Sequence, residues 1–478
     1  MTSKPKTAFV SVSDKTGIVE FAHELHLMGY ELQAAGSTAK ILRQIELEVE
    51  ELETPEESVD IVAINLYPVP EILQEGTLSQ DEILEYIDVG RSSLLRAAAR
   101  RFKNTIVLCD PKDYATTLES LREFGQVRLE QRQALAAKAF FYTAYYDSTL
   151  AQYLTLKWES LPDELVIGLK KVHDFKYGEN PHQKAALYSL SGARAWGLPA
   201  LKLLCGKELN YNHYLDLEMA WELVAEFEEP TCVIVKHTHS CGAASADRAG
   251  EAFRLAFQSD MVSASGGIVA FNREVDEEAA RNLSGEFLEC VLAPDFSQKA
   301  MEILRLKKDL RLLTLPSALL SPHEIQIHSI SGGLLIEDKN NKTFLPEVKT
   351  VTKQQPTEQE LLALKFIWKI AKHAKSYSIV LGQGTQTVGV GAGQSSRFDA
   401  FKVAVAKSNE RHPIINPKTP LVLASDGPLP LRLIQEASKI GVSAIIQPGG
   451  SAEDRDSISV CDERKMAMVF TGLRHYKH

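Results

Sequence analysis

The sequence is poor in features that would place the protein in a membrane or in an oxidising compartment. It has six cysteines in 478 residues and no Cys-x-x-Cys pair, which argues against a disulfide framework and a zinc ribbon. No apolar run approaches the roughly 20 residues that cross a bilayer, and the first residues lead into a strand-like segment without a signal-peptide core. We therefore expect a cytoplasmic protein with no membrane partner, whose cysteines are reduced thiols, mostly in cores.

An excess of positive charge is also lacking. The chain carries 53 Lys and Arg against 63 Asp and Glu, a formal net charge of −10. No overall basic field would attract a phosphate polymer, so we expect no nucleic-acid partner. Its 44% hydrophobic and 24% charged residues are typical of globular proteins, and its length predicts at least two domains.

The first part of the chain alternates short apolar runs with amphipathic ones. Strands are predicted over residues 8–12, 30–34, 61–65 and 105–108, turns over 13–17 and 35–38, and helices over 18–28, 39–45 and 129–154. This alternation predicts a parallel sheet covered on both faces, with a ligand site at the carboxyl ends of its strands. Between Glu46 and Glu57 seven of twelve residues are Glu, which predicts a solvated face.

Composition breaks near residues 153–162 and 339–355 divide the remainder of the chain. The predicted domains are residues 1–155, 165–345 and 350–478. A Ser-Asp pair occurs in each of the last two parts, at Ser259-Asp260 and Ser425-Asp426, and this weak sequence repetition is referred to as the echo. A duplicated fold would explain the echo, and so would chance.

A β-branched run delivers Lys236 and His237 at the end of a predicted strand. A cation beside an imidazole favours the neutral ring, which can act as a base near pH 7. A hydrogen-bonded structural histidine at a strand end fits the same pattern. His239 could form a metal pair with His237, but neither a His-x-Glu pattern nor a Cys-x-x-Cys pair accompanies it, so we expect no metal site.

Three further segments carry polar or cationic groups. Residues 176–183 are predicted to form a turn from their Gly, Asn and Pro. Residues 389–397 read as a glycine-rich strand-to-helix turn, in which backbone N–H groups and Arg397 could hold an anion, although tight packing also requires glycine. A final strand over 466–470 precedes a basic tail, for which fraying is the ordinary expectation.

Taken in order, the motifs resemble one family over nearly the whole chain, the bifunctional AICAR transformylase/IMP cyclohydrolases of purine biosynthesis. The matching segments are VSVSDKTG at 10–17, NLYP at 65–68, LRAAA at 95–99, KYGENPHQ at 176–183, VKH at 235–237, GAGQ at 391–394 and QPGGS at 447–451.

The resemblance implies an α/β protein with a methylglyoxal-synthase-like N-terminal domain and a transformylase region of two cytidine-deaminase-like halves. It implies formyl transfer from 10-formyltetrahydrofolate, as cosubstrate, to the amine of AICAR. The implied partners are a small-molecule nucleotide and a folate, and a second copy of the chain in a homodimer.

The resemblance also implies residue roles. His237 would be the catalytic base, tuned by Lys236. The substrate-binding positions would be Lys176, Tyr177, Gly178, Asn212, His213, Tyr377, Arg397 and Arg474. The remnant of a cyclohydrolase site would comprise Ser13, Lys15, Ser37, Thr38, Tyr67 and Asp88.

The N-terminal part departs from the family pattern. The family's Gly-Arg-Val-Lys-Thr-Leu-His-Pro segment is absent between Ile45 and Asp60, Arg91 stands where the family has Gly, and Arg100 where it has Lys. Losing one donor to a developing oxyanion typically costs about 10²- to 10³-fold in rate. We therefore expect cyclohydrolase activity to be impaired or lost.

The transformylase part departs at contact positions. Lys176 replaces Arg, His213 and Tyr377 each replace Asn, Ser265 replaces Phe, and Pro428 replaces an aromatic residue. Three functions stay open: formyl transfer to AICAR, formyl transfer by a specialised paralogue to a different amine or nucleotide-like acceptor, and nucleotide binding without catalysis.

Overall fold

The protein is described as a computed structural model with two compact units. The first unit comprises Met1–His173 with Tyr188–Ala195, and the second Asp174–Leu187 with Trp196–His478. The described residues are 5–56, 58–75, 78–155, 161–191, 197–315, 325–344, 348–411, 416 and 418–478. Glu57 and parts of both predicted boundary regions, 156–160 and 345–347, lie outside them. The three-part division at these boundaries stays a prediction.

The first unit contains a sheet whose strands are all parallel. The strands are β1 (Lys6–Ser11), β2 (Tyr30–Ala34), β3 (Val49–Glu51), β4 (Ile61–Ile64) and β5 (Ile106–Leu108). The helices are α1 (Ile18–Leu27), α2 (Gly36–Gln44), α3 (Val69–Glu75), α4 (Gln80–Glu85), α5 (Val89–Arg100), α6 (Tyr114–Phe124) and α7 (Leu129–Leu154). In the described part the strand order is β3-β2-β1-β4-β5.

Helices cover both faces of this sheet, as the alternating pattern predicts. One core joins α1, α2 and α6 to the sheet, and another joins α5 and α7 to its other face. Strands buried on both sides read as continuous apolar runs, as Ile61–Ile64 does. After β1, strands β2 and β3 are added on one side of it, and β4 and β5 on the other. The carboxyl ends of β1 and β4 therefore border a crevice at the point where the strand order switches sides, which is where such folds bind ligands.

One local expectation for this unit is wrong, and another holds with an addition. Gly36–Thr38, predicted as a turn, form the first turn of α2, where the Thr38 hydroxyl accepts from Val12 N at 3.1 Å and so ties the helix to β1. The Glu-rich run is solvated as predicted, since each described Glu in it is exposed, although Val49–Glu51 pair with β2 as an edge strand and Leu47 is buried. Glu50 and Glu51 do face solvent.

The second unit is built around a long sheet. A hairpin that precedes it, β6 (Leu169–Phe175) and β7 (Ala185–Leu190), has residues in both units. The strands of the second unit that follow are β8 (Lys202–Cys205), β9 (Thr231–Lys236), β10 (His239–Ser245), β11 (Ile268–Phe271), β12 (Cys290–Ala293), β13 (Arg311–Thr314), a separate hairpin of β14 (Ile325–Ile330) and β15 (Gly333–Asp338), β16 (Lys349–Thr350), β17 (Ile379–Gln383), β18 (Gln386–Gly391), β19 (Leu421–Ser425), β20 (Val442–Gln447) and β21 (Ala467–Phe470). The helices are α8 (Tyr211–Val224), α9 (Ala249–Ser259), α10 (Met261–Ala264), α11 (Glu277–Ser284), α12 (Gln298–Leu304), α13 (Glu358–His373), α14 (Arg397–Arg411), α15 (Leu431–Lys439) and α16 (Asp454–Glu463).

The long sheet has the same strand pattern in its two halves. Among the described strands its order is β16-β21-β20-β19-β17-β18-β10-β9-β11-β12-β13-β8, so each half repeats the other's order outward from the central β10–β18 pair. Helices α8 and α13 lie in one core that draws residues from both halves. The halves therefore share a core. Their assignment as cytidine-deaminase-like stays a prediction.

The two Ser-Asp pairs are not part of this repetition. Ser259-Asp260 ends α9, whereas Ser425-Asp426 ends β19, and these positions do not correspond in the two halves. The proposed echo is therefore wrong, although the topology is repeated.

The C-terminal tail is not frayed. His475 is buried, and its backbone N–H donates to Asp426 O at 3.1 Å. Lys477 Nζ lies 3.4 Å from Glu222 Oε2 on α8. These contacts hold the tail against the rest of the second unit.

The six cysteines are free, and all except the half-buried Cys205 are buried. This confirms the expectation of thiols mostly in cores. Among the described residues, no helix is long and apolar enough to cross a membrane.

Candidate functional site

One edge of the long sheet collects the sequence-predicted residues of the second unit. Strands β9, β18 and β19 end at this edge, and the antiparallel β10, β11 and β17 begin there. The loops that leave this edge contain the His237 turn, residues 375–377, residues 392–396 and Asp426. The topology therefore brings together groups that are far apart in sequence.

The turn that carries His237 joins β9 to β10. Lys236 pairs with His239 across the hairpin, which leaves His237 and Thr238 as a two-residue turn. The His237 N–H donates to Asp216 Oδ2 at 3.0 Å, and the Thr238 N–H donates to Asp216 Oδ1 at 2.5 Å. The His237 side chain is exposed at the strand end, where it can meet a substrate.

The neighbours of His237 differ in what they contact. Lys236 Nζ donates to Ser265 O at 2.6 Å, so its ammonium group is engaged by the loop before β11. His239 Nδ1 donates to His237 O at 2.7 Å, which leaves Nε2 of the neutral ring as the atom that can accept a proton. A Cβ on Gly393 would lie 3.3 Å from that nitrogen. His239 is therefore a second imidazole at the same edge.

Arg397 lies between two tyrosines at the start of α14. Its guanidinium carbon is 4.0 Å from the ring centre of Tyr377, and Nη2 donates to Tyr476 Oη at 2.9 Å. A Cβ at Gly427 would lie 2.0 Å from Nη2, so only glycine leaves room for this side chain. The arrangement fixes the plane of the guanidinium group.

Asp426 lies beside Arg397 and is hydrogen-bonded to Ser376, the residue before Tyr377. It is fully buried, accepts from Ser376 Oγ at 2.6 Å, and has Oδ1 3.9 Å from Arg397 Nε. Burial raises the pKa of Asp426, although the Ser376 hydrogen bond and the charge of Arg397 oppose that effect. The loop that carries Tyr377 is in turn joined to the glycine-rich turn, because Tyr377 N donates to Gln394 O at 3.0 Å.

Two glycines of the glycine-rich segment serve packing. A Cβ on Gly389 or Gly391 would lie 2.2 Å from Ala404 O or 1.9 Å from Ala400 O respectively, on α14. Both lie within β18, so the packing explanation applies to them. Gly393 lies in the turn itself, with φ +66°.

A cavity of about 1540 Å³ opens beside this edge. Arg474, Lys375 and Thr238 line it, and the guanidinium carbon of Arg474 lies 4.2 Å from the ring centre of Tyr476. Carboxylates of α8 and the hairpin β14–β15 line its other walls. The cavity can admit a molecule larger than a simple anion.

A buried ionic cluster lies at the base of the cavity. Glu226 accepts from Lys372 Nζ at 2.5 Å, from His373 Nε2 at 3.0 Å and from Thr343 Oγ1 at 2.7 Å. Burial raises the pKa of Glu226, but the hydrogen bonds and charges of His373 and Lys372 together lower it to about 2. Burial also lowers the pKa of His475 to about 4.

The KYGENPHQ segment forms the turn that its composition predicts. Gly178 N donates to Gln183 O at 2.8 Å, and Gly178 is buried while Lys176 is exposed. Asn212 Nδ2 lies 3.4 Å from Glu179 O, which places Asn212 beside this turn. Tyr177 is half-buried within it.

His213 is occupied in the first turn of α8. Its Nδ1 accepts from Asn210 N at 3.0 Å, so the neutral ring carries its proton on Nε2, which donates to Glu289 Oε2 at 3.0 Å. Burial lowers the pKa of His213, against the Glu289 hydrogen bond, which raises it. Nδ1 therefore caps the helix, and Nε2 joins α8 to the residue before β12.

The crevice of the first unit contains the predicted cyclohydrolase remnant. Lys15 Nζ donates to Ser37 Oγ at 3.1 Å and to Thr38 Oγ1 at 2.8 Å, while Ser13 N donates to Asn65 Oδ1 at 2.6 Å. These residues follow β1 and β4 and start α2. The crevice therefore forms where the strand order predicts it.

Arg91 reaches into this crevice and contacts the predicted remnant residues. Its guanidinium group donates to Ser13 Oγ at 2.7 Å, lies 2.6 Å from Asp88 Oδ2, and stands 4.7 Å from the ring centre of Tyr67. Asp88 also caps α5 by accepting from Arg91 N at 3.1 Å. Burial, and then the charge of Arg91, lower the pKa of Lys15.

Comparison with known proteins identifies the family. The family described as "AICARFT/IMPCHase bienzyme" matches residues 98–407. A "Bifunctional purine biosynthesis protein PurH" of Persephonella marina is 40% identical over 520 residues, with 99% of this chain and 100% of the relative covered. The protein of the same name from Bacillus subtilis is 39% identical over 515 residues, with 99% of each chain covered.

The chain belongs to the AICARFT/IMPCHase bienzyme family. This confirms the resemblance drawn from the motifs. The alignment with the Persephonella protein is 520 residues long, whereas this chain has 478, so the relative contains residues that this member of the family lacks.

Sequence reasoning missed Asp216 and the contacts of Arg91 in this AICARFT/IMPCHase family member. Asp216 lies in a helical segment, where an acidic residue in the sequence indicates only a polar position. Its hydrogen bonds to the His237 turn can be seen only in the structure. Arg91 stood out as a departure from the family, but its contacts with Ser13 and Tyr67 could not be read from spacing. Within the described residues no group of three or more His, Cys, Asp or Glu side chains is placed to hold a metal ion.

Proposed function

We propose that the chain transfers a formyl group from 10-formyltetrahydrofolate to the 5-amino group of AICAR. The observation that carries this proposal is the convergence of the His237 turn, Tyr377 and Arg397 on one sheet edge beside a cavity of about 1540 Å³. The names of the relatives and of the family point to the same reaction.

The chemistry follows from the weak nucleophilicity of the amine. Its nitrogen attacks the formyl carbon, and His237 accepts the proton that the nitrogen loses. The bond between the formyl carbon and N10 of the folate then breaks, and N10 takes up a proton, which gives tetrahydrofolate and formylated AICAR. Positioned acid–base groups contribute about 10²- to 10⁴-fold to such reactions.

The cationic groups are assigned to binding. Arg397 is held in plane by Tyr377 and Asp426, and planar guanidinium groups pair with phosphate or carboxylate through two hydrogen bonds. Arg474 is exposed at the cavity wall. We assign these two arginines to the anionic groups of the nucleotide and the folate, and Lys176, Tyr177, Gly178 and Asn212 to the rim of the same site.

We further propose that IMP cyclohydrolase activity is impaired or lost. Arg91 occupies the crevice between Ser13 and Tyr67, and residues 45–60 connect α2 to β4 without the segment that the family pattern contains. We therefore expect the wild type to form little or no IMP. Because the segment is missing as well, Arg91→Gly should not restore IMP formation.

The test of formyl transfer is tetrahydrofolate release with AICAR and 10-formyltetrahydrofolate. We expect release by the wild type, a loss of at least about 10²-fold for His237→Ala, and no loss for His23→Ala, an exposed histidine on α1 that serves as the control. Loss with His239→Ala but not with His237→Ala would contradict the assignment of the base.

A second candidate is transfer to a different amine. It is favoured by the Tyr377 ring lying over Arg397, at a position where the family pattern has an amide. Folate binding without turnover of AICAR, together with turnover of another amine, would establish it.

By family resemblance we also propose a homodimer, which sedimentation equilibrium can test.

A further inference from the structure

The turn that carries His237 has a backbone conformation that its residues do not favour. His237 has φ +52° and Thr238 φ +58°, so both central residues of this two-residue hairpin are left-handed. Such turns favour Asn-Gly or Gly-Gly because a Cβ crowds the following carbonyl, and a β-branched residue such as Thr suits them least. Something outside the turn must therefore stabilise it.

The equivalent hairpin in the other half does not face the same demand. There Gln383 pairs with Gln386, and the turn begins with Gly384, at φ +55°. Glycine adopts this conformation without steric cost. The half that carries His237 thus has a side chain where the other half has glycine.

Asp216 supplies the missing stabilisation. Its two carboxylate oxygens accept separately from the His237 and Thr238 N–H groups, at 3.0 and 2.5 Å. Hydrogen bonds to a carboxylate are about twice as strong as neutral ones. Asp216 is half-buried on α8 between the buried Leu217 and the exposed Leu215, so the carboxylate projects from a packed helix.

We propose that Asp216 is the positioning residue for His237: it fixes the left-handed turn and thereby the direction in which the imidazole leaves the sheet edge. This inference rests on the proposed function, in which His237 is the base, and adds to it the group that orients that base. Both hydrogen bonds of Asp216 go to backbone N–H groups of the turn, so the proposed effect of Asp216 is exerted through His237.

The variants are Asp216→Ala, which removes both acceptors, and Asp216→Asn, which retains one acceptor oxygen. The control is Glu251→Ala, an exposed acid on α9 that lies 3.8 Å from Arg254 Nη2. We expect kcat to fall about 10²-fold for Asp216→Ala, as for other misplaced catalytic groups, with KM changed by less than about 3-fold. Asp216→Asn should fall between Asp216→Ala and the wild type, and the control should match the wild type.

A second readout does not depend on activity. The amides of His237 and Thr238 should exchange hydrogen faster in Asp216→Ala than in the wild type, and at the wild-type rate in Glu251→Ala. Thr238→Gly added to Asp216→Ala should recover part of the lost kcat, because glycine accepts the left-handed φ without help.

The two proposals can fail separately. A wild type that transfers no formyl group overturns the proposed function, while exchange of the two amides still decides whether Asp216 holds the turn. Unchanged exchange in Asp216→Ala overturns the inference, and so does a kcat equal to that of the wild type. A rise in KM with kcat unchanged also overturns it, because Asp216 would then act in binding.

Discussion

Glu226 is the residue whose neutralisation should most clearly weaken the second unit. Its carboxylate is 10% exposed and faces the Lys372 ammonium, which is 4% exposed. Glu226→Gln keeps the size of the side chain but leaves that ammonium without its counter-charge. Removing one partner of a buried ion pair typically costs about 3–5 kcal/mol.

The pH dependence gives a second measure of the same interaction. The pKa of Glu226 is lowered from 4.5 to about 2 in the folded protein, where the pairing with His373 and Lys372 outweighs burial. At about 1.4 kcal/mol per pH unit, this corresponds to roughly 3 kcal/mol of stability. The group loses its charge at lower pH when folded than when unfolded, so the contribution is complete above pH 4.5 and is lost as the pH falls towards 2.

The assay is chemical denaturation followed by tryptophan fluorescence, because Trp368 is buried on α13 and Trp221 on α8. At pH 7 we expect Glu226→Gln to unfold with about 3 kcal/mol less free energy than the wild type. At pH 3.5 the difference should shrink by about 1.4 kcal/mol. The control is Glu228→Gln, an exposed neighbour that should stay within about 0.5 kcal/mol of the wild type. A difference below about 1 kcal/mol at pH 7, or one equal at both pH values, would refute the reasoning.

Two further predictions concern glycines. Gly391→Ala would place a Cβ 1.9 Å from Ala400 O, so the melting temperature should fall by several degrees. The control is Gly90→Ala, whose Cβ would meet nothing within 4 Å and should leave the melting temperature unchanged or slightly raised. Equal melting temperatures for the two variants would contradict this account of β18 packing. Gly427→Ala would place a Cβ 2.0 Å from Arg397 Nη2 and displace that group, so calorimetry should show weaker AICAR binding; unaltered affinity would remove Arg397 from the site.

Long periodic segments and buried strands were predictable from the sequence. The helix predicted over 129–154 coincides with α7, and the apolar run before His237 forms β9. Helix starts were less predictable. Gly36, Ser37 and Thr38 have turn-like propensities, and the bonds between Thr38 and Val12, the residue after β1, are tertiary contacts. Local sequence carries no record of such contacts.

The site was predictable only as a set of residue types near strand ends. Its supports came from elsewhere in the chain, as with Asp216 on α8 beneath the His237 turn and Tyr476 of the tail beside Arg397. His213 shows the converse, since a residue assigned to substrate by resemblance has both ring nitrogens hydrogen-bonded, Nδ1 to Asn210 N at the helix start and Nε2 to Glu289 Oε2 before β12. Pairings of this kind depend on the sheet order, which the sequence pattern does not specify.

The measurement that tests the central claim most directly is product analysis of the wild type with AICAR and 10-formyltetrahydrofolate. The structure predicts that tetrahydrofolate and formylated AICAR accumulate in equal amounts, and that no IMP forms above the uncatalysed rate. Absence of tetrahydrofolate release would contradict the proposed transfer, and IMP formation at a rate matching release would contradict the proposed loss of cyclohydrolase activity.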